Sequence, residues 1–160
     1  MQLSTKGRYA VMAMVDLAKR GESGDALPLV EIAEGQNLPM SYLEQLFMKL
    51  RRAGLVTAVR GPRGGYRLAR SAAEISIAEI MLAADESVRM TRCADDGTEL
   101  CLGTKRCETH DLWQALGDHI GAFLSLVSLQ HVMDGTFTAA LEAARIGMSK
   151  RAARQKVAAP

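Results

Sequence analysis

The sequence lacks any long hydrophobic run and has little cysteine. No apolar stretch in its 160 residues approaches the ~20 residues that a transmembrane helix needs. Near the N-terminal end, Asp16, Lys19 and Arg20 interrupt the apolar residues too early for the hydrophobic core of a signal peptide. The three cysteines are an odd number, so disulfides cannot pair all of them. We therefore expect a cytoplasmic protein with reduced thiols and no membrane partner.

Charge is distributed unevenly along the chain, although the net charge is only +2. Residues 1–70 contain 11 lysines and arginines against 6 aspartates and glutamates, whereas residues 71–135 contain 4 against 11. Residues 136–160 are basic again, with 5 against 1. A basic first part indicates a polyanionic partner such as a nucleic acid. Uneven charge is also common in small proteins with other functions, so charge alone does not decide between these readings.

The spacing of apolar residues predicts three helices at the start of the chain, at residues 5–20, 28–35 and 41–53, with Gly54 just beyond the third. The second of them should end at Gly35. Two short segments at residues 56–59 and 66–68 then flank the turn "GPRGG", which predicts a β-hairpin. Three helices followed by such a hairpin are typical of a winged helix-turn-helix domain.

Further helices are predicted after the hairpin. Ser76 should cap a helix, and residues 110–128 repeat apolar side chains, including Trp113 and Phe123, at helical intervals. One small domain could hardly cover this apolar stripe, so we expect it to pair with its copy in a homodimer. The predicted fold is mainly α, a winged helix-turn-helix DNA-binding domain with a long C-terminal dimerisation helix. Its parts are the DNA-binding domain (1–84), a cysteine-rich loop (85–109), the dimerisation helix with a short following helix (110–135) and a basic, disordered tail (136–160).

The third predicted helix has the pattern of a helix that reads DNA. Its large apolar residues share one face, and polar residues share the opposite face near the N-terminal end. Serine and glutamine can bond to base edges, and glutamate can accept from the cytosine amine. Arginines around the glycine turn suit the phosphate backbone. An ordinary surface helix would also be polar on one face, but the adjoining hairpin favours DNA. The candidate DNA-binding residues are Ser41, Tyr42, Glu44, Gln45, Arg52, Arg60 and Arg63.

Every cysteine lies close in sequence to one histidine. The candidate metal ligands fall within 18 consecutive residues: Cys93, Cys101, Cys107 and His110. Three thiolates and an imidazole could close around a tetrahedral zinc ion. They could equally hold an iron–sulfur cluster in which each of two irons takes two protein ligands. Donor identity does not separate these readings, because both metals bind thiolate. The sequence offers no Cys-x-x-Cys pair and no base beside a nucleophile, so we expect no enzymatic activity.

Several blocks of the sequence, in this order, resemble one known family. They are "LSTKGRYAVMAM", "SYLEQLF", "LRRAGLV", "VRGPRGGY" and "TRC…C…C…TH.LW", and the similarity runs from Met1 to about Met133. The sequence is thus similar to the iron–sulfur cluster regulators, a family of bacterial winged helix-turn-helix transcription factors. The resemblance implies a homodimer that binds double-stranded promoter operators, mainly as a repressor of cluster-assembly genes. It also implies that residues 85–109 are a cluster-binding loop for a [2Fe-2S] cluster, with a cluster-assembly scaffold as the donor.

The interval between the first two cysteines departs from the family pattern. Seven residues separate Cys93 from Cys101, more than is usual in the family. Three of these residues are carboxylates: Asp95, Asp96 and Glu99. Either Cys101 or one of these carboxylates could therefore complete the ligand set. The alternatives to a cluster sensor are a related regulator that senses nitric oxide or redox state, and one that carries a structural zinc. The resemblance further implies that Glu44 discriminates between two classes of DNA site.

Overall fold

The computed structural model describes residues 5–21, 24–62, 64–86, 100–103 and 105–136, together with positions 138 and 142. In this part of the chain, six helices and one β-hairpin follow each other. They are α1 (Thr5–Arg20), α2 (Leu29–Gln36), α3 (Met40–Arg52), β1 (Val56–Val59), β2 (Gly65–Leu68), α4 (Ile77–Ala83), α5 (His110–Leu126) and α6 (Leu129–Asp134). None of these helices is long and apolar enough to cross a membrane.

Helix α1 is central to the fold, because α2, β2, α4 and α6 all pack against it. The side of α1 that faces these elements is fully buried and carries small or flexible residues: Ala10, Ala13, Met14 and Leu17. Helix α2 continues past its predicted end at Gly35 to Gln36. Asn37 then adopts a left-handed φ of 50°, and the Leu38 N–H donates to the Ala33 carbonyl at 2.9 Å. Asparagine tolerates this backbone conformation, so it ends the helix instead of Gly35.

The antiparallel hairpin is anchored to the helical part through its second strand. Tyr66 and Leu27 exchange two backbone hydrogen bonds, of 2.8 and 2.9 Å. A methyl group at Gly65 would lie only 2.3 Å from the Leu27 carbonyl oxygen, so glycine is required for this approach. The Tyr66 ring also meets the Phe47 ring, with 4.8 Å between their centroids. The hairpin, which we call the wing, is therefore held against α3 and against the chain just before α2.

Helix α4 connects the first three helices to α5, since it contacts α1, α3 and α5. Ser76 caps it, as predicted: its Oγ accepts from the Glu79 N–H at 3.2 Å. The Glu79 carboxylate in turn accepts from the Ser76 N–H at 2.9 Å, which completes a capping box. Arg70 donates to the same carboxylate at 2.7 Å. These contacts fix the start of α4 relative to the wing.

Helix α5 differs from the others in how little of its surface is buried. His110 is its one buried residue. Four of its large apolar side chains are exposed: Leu112, Trp113, Leu116 and Leu126. The short helix predicted after α5 is present as α6, which Ser128 caps. The predicted disorder of residues 136–160 and most of the predicted loop at 85–109 fall outside the described residues.

Candidate nucleic-acid interface and cysteine site

Helix α3 buries one face and leaves the opposite face open to solvent. The buried face is the predicted apolar stripe: Leu43, Leu46, Phe47 and Leu50. The exposed face carries four of the candidate DNA-binding residues: Ser41, Glu44, Gln45 and Arg52. Pro39 precedes the helix without a side-chain cap, and no acidic residue lies in the first turn of α3. The partial positive charge at this helix start is therefore not neutralised locally, which favours the approach of a phosphate group.

Tyr42 differs from the other candidates on α3, because its side chain turns toward α1. Its ring meets the Tyr9 ring edge-on, with centroids 5.7 Å apart and an interplanar angle of 87°. The Tyr42 hydroxyl is buried and has no hydrogen-bond partner within the described residues. Burial raises the pKa of this hydroxyl. Tyr42 thus fixes the position of α3 on α1.

The arginines of the wing fall into two groups. Arg60 is exposed at the turn, next to Gly61, whose φ of 117° favours glycine. Arg63 lies outside the described residues. Arg67 donates to the Thr57 hydroxyl at 3.3 Å, and Arg70 pairs with Glu79. Arg67 and Arg70 therefore support the hairpin and the start of α4, whereas Arg60 extends from the tip.

Two of the four candidate metal ligands are brought together at the start of α5. The Cys101 Sγ lies 3.4 Å from Nδ1 of His110, and His110 is buried. Cys107 is in the turn before α5, where its carbonyl accepts from the His110 N–H at 3.0 Å. Its own Sγ is 3.5 Å from the Thr109 hydroxyl. Within the described residues, no third side chain of a ligand type joins the Cys101–His110 pair.

Cys93 and the three carboxylates that could replace Cys101 lie outside the described residues. The geometry of the Cys101–His110 pair can still be compared with that of a metal site. Sulfur at about 2.3 Å and nitrogen at about 2.0 Å from one tetrahedral zinc ion would lie roughly 3.5 Å apart. The observed 3.4 Å fits that spacing. A buried imidazole beside a thiol is also a donor set that both zinc and iron accept.

Two relatives are similar to this chain over most of its length. The HTH-type transcriptional regulator IscR of Photorhabdus laumondii is 52% identical over 134 residues, which are 84% of this chain and 80% of the relative. The protein of the same name from Xenorhabdus nematophila is 50% identical over 133 residues, which are 83% and 79% of the two chains. Both relatives are named as transcriptional regulators, so the chain is a regulator and not an enzyme.

Two solved structures resemble this one and confirm the predicted winged-helix fold. T. potens IscR has a TM-score of 0.69 and 34% identity, and the match covers 84% of this chain and 88% of that one. CymR (YrzC), the global cysteine regulator of B. subtilis, has a TM-score of 0.70 and 30% identity, with 85% and 98% covered. The family Rrf2, described as an iron-dependent transcriptional regulator, matches residues 3–135. The chain therefore belongs to the Rrf2 family of DNA-binding transcriptional regulators.

Proposed function

We propose that this regulator senses the supply of iron–sulfur clusters in the cytoplasm through a bound [2Fe-2S] cluster, and that it mainly represses genes for cluster assembly. The observation that carries the proposal is the Cys101–His110 pair, whose donor atoms lie 3.4 Å apart. The name IscR of the relatives supports the same cofactor. A cluster-assembly scaffold is the proposed donor of the cluster.

The proposed ligands are Cys93, Cys101, Cys107 and His110. The 3.4 Å between the Cys101 Sγ and Nδ1 of His110 supports Cys101 as a ligand. The fraction of the protein that holds the cluster would follow the cellular supply of iron and sulfide. A neutral imidazole in place of a fourth thiolate is expected to raise the reduction potential. It is also expected to make the cluster easier to lose, which suits a sensor of occupancy.

The exposed face of α3 is the proposed reading surface, and we call α3 the recognition helix from here on. Ser41, Glu44 and Gln45 would meet base edges in the major groove, where hydroxyl, carboxylate and amide groups find partners. Arg52, Arg60 and Arg63 would contact phosphates. Tyr42 would contribute by holding the recognition helix on α1. Selection from a random-sequence duplex library tests this surface, since base reading requires that a defined sequence emerges.

We propose that a second copy of the chain covers the exposed apolar face of α5. Leu112 is 62% exposed and Trp113 is 42% exposed, on the side of the helix where Leu116 also lies. Clusters of large apolar side chains at a surface mark interaction sites. A two-fold homodimer would bring two recognition helices to successive turns of the major groove.

Absorption spectroscopy of protein purified without oxygen tests the cofactor. We expect a visible charge-transfer band, with iron and acid-labile sulfide present in equal amounts. A colourless protein that contains zinc would contradict the cluster. A cluster-bearing protein whose DNA binding responds to nitric oxide or oxidant, but not to cluster loading, would favour the related sensor of those signals.

Ligand variants test the residue assignments. Cys93→Ala and Cys107→Ala should abolish the colour, whereas His110→Ala should weaken cluster retention. His119→Ala is the matched control, because it removes an imidazole from the same helix at a residue outside the proposed ligand set. Full iron and sulfide content in the Cys107→Ala protein would show that Cys107 is not a ligand.

A further inference from the structure

The end of α4 contains an aspartate at a backbone position that usually holds glycine. The Asp85 N–H donates to the Leu82 carbonyl, and the Glu86 N–H donates to the Met81 carbonyl, both at 3.0 Å. This pair of bonds is a Schellman motif, whose left-handed residue is most often glycine. Asp85 has a φ of 56°. Since an L-residue is strained there relative to glycine, the backbone gives no reason to prefer aspartate.

The Asp85 side chain has a partner on the recognition helix. Its carboxylate accepts from the Lys49 ammonium at 2.5 Å. That hydrogen bond and the charge of Lys49 lower the pKa of the Asp85 carboxyl. This ion pair joins the recognition helix to the chain two residues beyond the end of α4. The aspartate thus adds a connection that a glycine at the same position would lack.

The same end of α4 is seated firmly on α1. A methyl group placed on Gly7 would lie 2.6 Å from the Met81 sulfur and 3.1 Å from the Glu86 Cγ, so this contact has no spare room. The recognition helix also packs against α4, and the ring of its Tyr42 contacts Tyr9 on α1. The recognition helix, α1 and the end of α4 therefore meet at one place.

The proposed ligands connect to this place from two directions. Along the sequence, Cys93 follows Asp85 by eight residues. Through space, α4 packs against α5, whose first residue is His110. Of the proposed ligands, His110 is thus linked to α4 through the packing of α5 against it, and Cys93 follows in the chain after α4. The chain leaves the end of α4 at Asp85.

We propose that Asp85 is a positioning residue that couples α4, and through it the ligand-bearing helix α5, to the recognition helix by its ion pair with Lys49. This inference rests on the proposed function, because it needs a cluster that alters DNA binding. A change at His110, the first residue of α5, would reach α4 through the packing of the two helices, and the Lys49–Asp85 ion pair would carry it to the recognition helix. The placement of Glu44 and Gln45 against base edges then differs between the loaded and cluster-free forms.

The expected size of the effect follows from the exposure of the pair. The Lys49 and Asp85 side chains are 36% and 68% exposed, and solvent weakens such a pair. We expect a coupling of about fivefold, the lower end of the range for allosteric effects. The remaining coupling would pass through the packing of α4 against α5 and the recognition helix.

The test measures the affinity of full-length protein for a duplex selected by the wild-type protein, with and without cluster reconstitution from ferrous iron and sulfide. The ratio of the two affinities is compared among variants. Asp85→Asn keeps a residue that tolerates the left-handed backbone, and Asp85→Gly provides the residue that the backbone prefers. Lys49→Arg keeps the cation. Asp134→Asn, on α6, is the matched control for loss of one exposed carboxylate.

We expect Asp85→Asn and Asp85→Gly each to reduce the affinity ratio about fivefold, while Lys49→Arg and Asp134→Asn retain it. Cluster content should not change, and the melting temperature of Asp85→Gly should be equal to or above that of wild type. An unchanged ratio in both Asp85 variants would overturn the coupling and leave the sensing function intact. Equal affinities of the two wild-type forms would overturn both.

Discussion

Helices α3 and α5 are both amphipathic, but each leaves a different part of its surface uncovered. In α3, with 13 residues, the apolar stripe is buried and the polar face is open. In α5, with 17 residues, His110 is the one buried residue, while Trp113 and Leu116 are exposed. A hydrated polar face needs no partner to be stable, whereas an exposed apolar face gains stability when it is covered. The open face of α3 thus fits DNA, and the open face of α5 fits the second copy of the chain that we propose.

Charge separates the same two regions. The last turn of α3 carries Lys49, Arg51 and Arg52, whereas α5 has no basic residue in its last turn and an aspartate in its first. A polyanion is therefore attracted to the recognition helix and not to α5. The two helices share α4 as a neighbour, so a single short element lies between the DNA-reading part and the part that carries His110.

Trp113→Glu should have the largest effect. It places a charge on the exposed apolar face of α5, so that α5, like α3, exposes a polar face. We expect the dimer to dissociate and DNA affinity to fall by about a hundredfold or more, since a monomer cannot engage two half-sites at once. Sedimentation and DNA titration measure the two effects. Ala122→Glu adds the same charge at an exposed position of α5 away from this face and should remain dimeric. A dimeric Trp113→Glu protein would place the interface elsewhere.

Glu44→Ala tests the exposed face of the recognition helix. A carboxylate next to DNA is repelled unless a donor such as the cytosine amine receives it, so Glu44 should reject sites that lack this donor. Its loss should let the cluster-free protein bind rejected sites about ten- to a hundredfold more tightly. Titrations of both protein forms on both classes of selected duplex measure this. A uniform loss of affinity across all duplexes would give Glu44 a purely structural role.

Gly65→Ala tests whether the wing needs its close approach to Leu27. The added methyl would lie 2.3 Å from the Leu27 carbonyl oxygen, so strand and loop must separate. We expect a loss of about 1–3 kcal/mol in the free energy of unfolding. Gly121→Ala is the control, because open space surrounds that position in α5 and alanine favours a helix. Chemical denaturation compares the two, and equal stability of both variants would show that the wing adjusts freely.

Glu79→Gln should have the smallest effect. Glu79 lies in the first turn of α4, the helix that contacts both α3 and α5. The Ser76 N–H and the Arg70 guanidinium hold the pKa of Glu79 below its ordinary value of 4.5. A depressed pKa stabilises the fold above about pH 4.5, and this contribution is lost as the pH falls through the folded-state value. With the carboxylate 41% exposed, we expect about 0.5 kcal/mol. At pH 7 the wild-type protein should therefore have the larger free energy of unfolding. Near pH 2 the free energies of unfolding of the two proteins should become equal.

Local sequence signals predicted most of the fold. The four buried residues of the recognition helix follow from helical spacing, and Ser76 was predicted to cap α4, which the structure confirms. The end of α2 was predicted one residue too early, because Gly35 was read as the terminator and Asn37 is the residue that turns left-handed. Both residues tolerate such turns, and local sequence does not rank them.

The candidate sites were less accessible to sequence reasoning. Periodicity places Tyr42 beside the reading face, but its ring is drawn inward by Tyr9, which lies on another helix. No local pattern singles out Lys49, because its partner, Asp85, is 36 residues away in sequence. The juxtaposition of Cys101 and His110 likewise depends on how a glycine-containing turn folds back onto α5. Such contacts arise from tertiary packing, which no local pattern encodes.

The most direct test is a comparison of DNA affinity between the cluster-loaded and cluster-free wild-type protein. Duplexes are selected from a random library with each form, and both forms are then titrated against both selected classes at one salt concentration, since affinity depends on salt. We predict that at least one class is bound about tenfold or more differently by the two forms, the size of one altered base contact. Equal affinity of both forms for every selected duplex would contradict a role for the cysteine site in DNA recognition.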